Sequence, residues 1–249
     1  MFNLDKAIRI AKYSEIIYKG YSDMCDILLG EEWQYFERQD TQAMGVIDRD
    51  NKDVYVIFRG TSSLEDLITD AKCTKVDTDF GGVHKGVFEA YQAVAKDTEG
   101  FVLKIIREHK DYKIWAGGHS LGAMSILLAD RIVRHAGIGY ISGVYTFGGM
   151  RIFDREGGDA YNQLLGDITY SVVYVSDHVP NFPYGYCRVG QRVYINTKNK
   201  IDDTGKEWNK EYFARIFDTL KNSLSFNAFK KPHSIENYCK KLIQGKKNE

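Results

Sequence analysis

Residues 112–132 read YKIWAGGHSLGAMSILLADRI, and the fold turns on how this stretch is understood. An apolar, strand-like run, KIWA, leads into a turn with Gly118 and Gly122 two residues either side of Ser120, and a helical pattern starts at Leu121. In a chain with 23 glycines, chance supplies about a tenth of a Gly-x-Ser-x-Gly match, so the pentapeptide alone decides little. Its setting decides more: strand, tight turn and helix together form the elbow that holds a nucleophilic serine at its tip. Two glycines have a physical reason there, because strand and helix must approach closely while the serine backbone is strained.

Around this stretch, short β-branched and aromatic runs alternate with helical patterns, which predicts an α/β fold. Strands are expected at 42–47, 54–58, 113–116, 143–147, 170–175 and 191–196, and helices at 5–19, 86–109, 121–135, 157–165 and 207–225. The runs 54–58 and 172–175 are apolar almost throughout, as inner strands covered on both faces should be. The aromatic stripe of 207–225 (Trp208, Tyr212, Phe213, Phe217) reads as core packing before a lipid-docking surface. With 249 residues, 43% of them hydrophobic, and no Pro/Gly/Ser-rich linker, the expectation is one domain over 1–249.

Charge is balanced, 34 basic against 34 acidic residues, so no basic field is available for a nucleic-acid backbone and none is expected as partner. The segment MFNLDKAIRIAKYSEIIYKG breaks its apolar residues with charges and reads as an amphipathic helix rather than a signal or membrane segment. Cys25, Cys73, Cys187 and Cys239 are widely spaced, without a C-x-x-C pair, which fits reduced thiols and no zinc site. Both features point to a cytoplasmic location. Neither H-E-x-x-H nor a P-loop is present, and Gly137-Ile138-Gly139 precedes its strand, as a nucleotide loop would not.

A serine hydroxyl is a weak nucleophile at neutral pH and needs a histidine base oriented by a carboxylate. Of the six histidines, His119 adjoins Ser120 and is expected to point elsewhere, His109 and His135 sit at helix ends, His84 reads as structural, and His178 follows an acid. His233, in KKPHSIENY, remains as the base. Asp177 in YSVVYVSDHVPNFP stands at the end of the most apolar strand, where a sheet delivers functional side chains; Asp154 in TFGGMRIFD also follows a strand and is its rival. The order Ser120, Asp177, His233 is that of the α/β hydrolases. For a developing oxyanion, Leu121 offers the N–H after the nucleophile, and Thr61, at the exit of VYVIFRGTSS, offers a second.

In order along the chain, FRGTSS, VHKGVFEAY, GGHSLGA, TFGGMRIFD, SDHVPNFP and PHSIENY resemble the class 3 lipases, the fungal-lipase-like branch of the α/β hydrolases. The resemblance implies an α/β-hydrolase fold: a mostly parallel central sheet with helices on both faces, a nucleophile elbow and a short lid. It implies Ser120 as nucleophile, Asp177 as acid, His233 as base, and Thr61 with Leu121 as oxyanion hole, without metal or cofactor. The implied activity is hydrolysis of carboxylic esters of lipids through an acyl-enzyme, as an acylglycerol lipase or esterase. Its partners would be a lipid or small ester and, transiently, a membrane or lipid-aggregate surface. A phospholipase, a lysophospholipase or a soluble-ester carboxylesterase would use the same triad. An inactive lipase-like binding module would require a missing triad position, and none is missing. The lid is expected at about 62–82, where Leu64, Leu67 and Ile68 are the apolar face among acidic neighbours. The family often has tryptophan where this chain has Leu67. So small a face implies weak activation at oil–water interfaces.

Overall fold

The computed structural model describes residues 1–61, 74–79, 81–204 and 231–247. Among the described residues eight strands form one sheet, in the order β1 (Glu32–Arg38), β2 (Thr41–Asp48), β3 (Asp53–Phe58), β6 (Lys113–His119), β7 (Ile141–Phe147), β8 (Thr169–Tyr174), β9 (Gln191–Ile195) and β10 (Ile201–Asp202). The five strands from β3 to β9 are parallel, and the two edges, β1-β2-β3 and β9-β10, are antiparallel. A separate antiparallel ribbon joins β4 (Lys75–Thr78) to β5 (Gly81–His84).

Strand β3 shows why the inner strands lack polar alternation. Val54, Val56 and Phe58 enter one hydrophobic cluster, while Tyr55 and Ile57 enter another on the opposite face. The first cluster is closed by α3 (Lys85–Glu108), α4 (Ser125–Ala136) and α5 (Arg155–Leu165): α3 leads from β5 into β6, and α4 and α5 carry the crossovers β6–β7 and β7–β8. Covering the other face are α1 (Leu4–Ile16) and α6 (Ile235–Lys247), together with the short α2 (Tyr21–Ile27). Helix α1 begins where Asn3 accepts the Lys6 N–H at 3.0 Å, and it buries Ala7, Ile10, Ala11 and Ser14 at helical spacing.

All six expected strands are present, as are four of the five expected helices; 207–225 lies outside the described residues. The expected helix at 121–135 begins differently, as a 3-10 turn over Ser120–Met124 before regular α4. The lid residues Leu64, Leu67 and Ile68 also lie outside the described residues. The later part of that segment is the β4–β5 ribbon, tied to the body by hydrogen bonds from His84 N–H to Ile152 O and from Asp154 N–H to Gly82 O, each 2.8 Å.

At the amino end of β3, α1 is fastened to the sheet by a buried carboxylate. Asp53 is 1% exposed, pairs with the Lys6 ammonium, and accepts hydrogen bonds from Trp115 Nε1 at 2.7 Å and the Tyr55 hydroxyl at 3.1 Å. Removing the carboxylate strands a half-buried cation and two donors, so Asp53→Ala should cost about 3–5 kcal/mol. The exposed Arg49–Glu32 pair, 2.6 Å apart, serves as the control, and Glu32→Ala should cost at most about 1 kcal/mol. Urea unfolding of both variants checks this; equal losses would contradict it.

Candidate active site

Parallel register lines up the carboxyl ends of β3, β6 and β7: Phe58 pairs with Gly118, and Gly118 with Thr146. The residues singled out in the sequence leave the sheet along this edge. Arg59, Gly60 and Thr61 follow β3, Ser120 follows β6, and Asp177 follows β8 through a turn closed by its own N–H to Tyr174 O at 2.8 Å.

The elbow is sterically enforced. Ser120 has φ +59°, in the left-handed region that a side chain makes unfavourable by about 1–2 kcal/mol. A Cβ on Gly118 would lie 2.4 Å from Gly122 O and 2.6 Å from Phe58 O, and one on Gly122 would lie 2.3 Å from Phe58 O. The turn thus packs onto itself and onto the end of β3 with no space for a methyl group at either position.

Asp177 and His233 are brought together. His233 Nδ1 lies 2.9 Å from Asp177 Oδ2, with the two residues 4% and 1% exposed. Asp177 Oδ2 also accepts the Tyr238 hydroxyl at 2.7 Å, and Oδ1 accepts the Val179 N–H at 3.0 Å, so three donors fix the carboxylate. An ionised carboxylate accepts, so His233 Nδ1 carries the proton and Nε2 is left as the basic nitrogen. Among the described residues neither His233 Nε2 nor Ser120 Oγ has a hydrogen-bond partner, although both are buried. Such catalytic contacts are often long before substrate binds. Gly148, at φ +57°, leaves room for this group: its Cβ would fall 2.7 Å from Asp177 Oδ2 and 3.1 Å from His233 Nδ1.

His119 does not simply turn away, as its place beside Ser120 suggested. Its ring packs on that of His233 with centroids 4.5 Å apart, and its Nε2 is hydrogen-bonded to the His233 carbonyl. The carbonyl can only accept, so Nε2 donates, and Nδ1 accepts from the Tyr18 hydroxyl at 3.0 Å. Burial above all holds the His119 pKa well below the ordinary histidine value, and repulsion from His233 whenever that ring is protonated acts in the same direction, keeping the His119 ring neutral as this tautomer requires. Burial raises the Tyr238 pKa well above the usual tyrosine value, with Asp177 adding to the effect, so Tyr238 remains a donor. The sequence carried no local signal for Tyr18, Tyr238 or the His119 contact, because each partner lies at least 61 positions away.

Asp154 is occupied elsewhere. It caps α5, accepting the Gly157 N–H at 2.9 Å, and pairs with Lys75 at 3.2 Å. The Gly157 hydrogen bond, with help from Lys75, outweighs desolvation and lowers its pKa. Thr61 and Leu121 meet across a cavity of about 490 Å³ that Arg59, Gly60, Met124 and the polar Asp40, Thr41 and Gln42 also line.

With this geometry the likeness to known proteins is direct. The family model for Lipase (class 3) matches residues 55–186, and the chain belongs to that family. A lipase of Rhizomucor miehei is 30% identical over 165 residues, which are 63% of this chain and 45% of that sequence. A triacylglycerol lipase of Arabidopsis thaliana is 32% identical over 152 residues, 57% of this chain and 27% of that one. The chain therefore spans less than half the length of these curated relatives. The solved structure of the Rhizomucor miehei triacylglyceride lipase superposes with a TM-score of 0.67 at 25% identity, covering 77% of this chain and 78% of that one. A mutant form of MDLA from Penicillium cyclopium superposes with a TM-score of 0.71 over 92% and 94% of the two chains at 19% identity, a likeness of fold alone. The mostly parallel sheet with helices on both faces is the α/β-hydrolase fold.

The two carboxylates separate cleanly by experiment. Asp177→Asn should lower kcat roughly 10⁴-fold by favouring the wrong imidazole tautomer. Asp154→Ala should cost about 1 kcal/mol of stability through the lost cap and leave kcat within about twofold. Turnover of a soluble ester by the two folded variants checks this ranking, and the reverse order would reassign the acid.

Proposed function

We propose that this chain is a serine hydrolase that cleaves carboxylic ester bonds of lipids through an acyl-enzyme intermediate, acting as an acylglycerol lipase or esterase. One observation carries the reading: the buried Asp177–His233 hydrogen bond leaves His233 Nε2 unpartnered among the described residues, with the His233 ring packed against the residue that precedes a left-handed Ser120. Membership of the class 3 lipases supports the ester as the bond broken.

In this reading His233 Nε2 takes the Ser120 proton as Oγ bonds to the ester carbonyl carbon. The resulting oxyanion is met by the N–H groups of Leu121 and Thr61. Collapse breaks the ester C–O bond, and His233 returns its proton to the departing alcohol. Water, deprotonated by the same nitrogen, then releases the carboxylic acid and restores Ser120. Asp177 orients the imidazole and stabilises its cationic form. These steps call on no metal or cofactor.

The cavity shared by Thr61 and Leu121 favours a second reading of the substrate. Asp40, Thr41, Gln42 and Arg59 make its wall polar, which suits a phospholipid, a lysophospholipid or a soluble ester as well as a neutral glyceride. Hydrolysis of triglycerides, lysophospholipids and p-nitrophenyl esters by the purified protein distinguishes these.

A fluorophosphonate should label the protein once, on Ser120, because only a base-activated serine beside oxyanion donors attacks phosphorus at a useful rate. Ser120→Ala should abolish labelling and lower kcat on the order of 10³-fold or more while remaining folded. Labelling of that variant at wild-type level, read by intact mass, would refute the assignment.

A further inference from the structure

Outside the Ser120 site, a cavity of about 560 Å³ is lined by four arginines, Arg151, Arg155, Arg188 and Arg192, against a single carboxylate, Asp159. That carboxylate offsets little, since it is 70% exposed and 4.0 Å from Arg155. No carboxylate among the described residues pairs with Arg151, Arg188 or Arg192. The Nε atoms of Arg151 and Arg188 are shut off from solvent and have no acceptor among the described residues. Among the described residues these two guanidinium groups hydrogen-bond to neutral acceptors: Arg188 Nη2 donates to Pro180 O at 2.6 Å and Asn181 Oδ1 at 3.5 Å, and Arg151 Nη1 to Tyr186 O at 3.4 Å. Burial pulls the Arg188 pKa below the usual arginine value; Tyr194 opposes this, while the like charges of Arg192 and Arg151 add to it.

Like charges gathered without counter-ions favour whatever anion enters between them. A carboxylate satisfies one guanidinium fork, whereas a phosphate dianion offers three oxygens and can be shared among several. We propose that the cavity between α5 and the loop after Asp177 is a binding site for a phosphate group, either that of a free phosphate ester or that of an anionic lipid head. The site is built into the support of the catalytic acid. Arg188 holds the Pro180–Asn181 carbonyl and amide just beyond Asp177, and the Arg151 N–H donates to Phe182 O at 2.9 Å. A bound phosphate would therefore brace the loop that carries Asp177.

Arg155 and Arg192 are exposed, which makes the double variant Arg155→Gln/Arg192→Gln a suitable test without disturbing the half-buried Arg151 and Arg188. Thermal unfolding is measured in inorganic phosphate and in glycerol 3-phosphate, against chloride at equal ionic strength. Co-sedimentation is measured with phosphatidylcholine vesicles with and without phosphatidic acid. The wild type should show a saturable rise in Tm of several degrees with the soluble phosphates, and the double variant should need about tenfold more ligand or fail to respond. Binding to phosphatidic acid vesicles that the double variant loses would assign the site to a lipid head; a Tm response without vesicle binding would assign it to a free phosphate ester. Equal Tm in phosphate and chloride with no variant-dependent vesicle binding would overturn the proposal, as would an equal response of wild type and variant. Fluorophosphonate labelling of Ser120 should be the same in both proteins, so failure here is separable from failure of the hydrolase reading.

Discussion

The backbone of Ser120 depends on contacts that admit no side chain. Gly118 and Gly122 press against each other and against the last carbonyl of β3, and between them the serine is forced into the left-handed region. Any larger residue at either glycine would drive the strand and the following turn apart. The strain this stores is offset by the double-sided core on which β3 and β6 lie, since strained residues persist only where their surroundings over-determine them. The same clasp fixes the end of β3 relative to the elbow.

From that clasp the remainder of the site follows by register. Parallel pairing sets the carboxyl ends of β3, β6, β7 and β8 side by side, and each leads into one part of the proposed site: Thr61, Ser120, the glycine clearing space at 148, and Asp177. His233 alone comes from outside the sheet, and two contacts bring it in. Asp177 bonds its imidazole, and His119, itself held by Tyr18 from the end of α1, bonds its carbonyl. The helices covering the Tyr55 face of the sheet therefore do more than close a core. Tyr18 and Tyr238, carried by or next to them, reach through to the two groups that flank the base.

What could be read in the sequence was what repeats locally. The inner strands announced themselves because burial on both faces removes polar residues from them, and the elbow did so because its two glycines stand at fixed spacing. Strand β1, EWQYFER, was not legible: it is an edge strand whose exposed positions carry charge, so it lacks an apolar run. The ribbon Lys75–Thr78 with Gly81–His84 was hidden in a segment expected to be a lid, for it is short, partly exposed and held by contacts from residues 152–154. Helix α6, IENYCKKLIQGKK, was not legible because its four lysines and Gly245 interrupt the apolar positions that mark a helix. Between Asp177 and Asp154 the sequence left two candidates, and the distinction lay in geometry: one carboxylate faces an imidazole across the fold, while the other closes the first turn of its own helix.

The central claim is spatial: one reacting atom on Ser120 can be reached at once by the base and by both oxyanion donors. A crystal structure of the protein inhibited by an alkyl phosphonate tests it directly. The account predicts phosphorus bonded to Ser120 Oγ, one non-bridging oxygen about 2.7–3.1 Å from the N–H groups of both Leu121 and Thr61, and His233 Nε2 on the leaving-group side. An adduct on another residue, or a phosphonyl oxygen pointing away from Leu121 and Thr61, would contradict it.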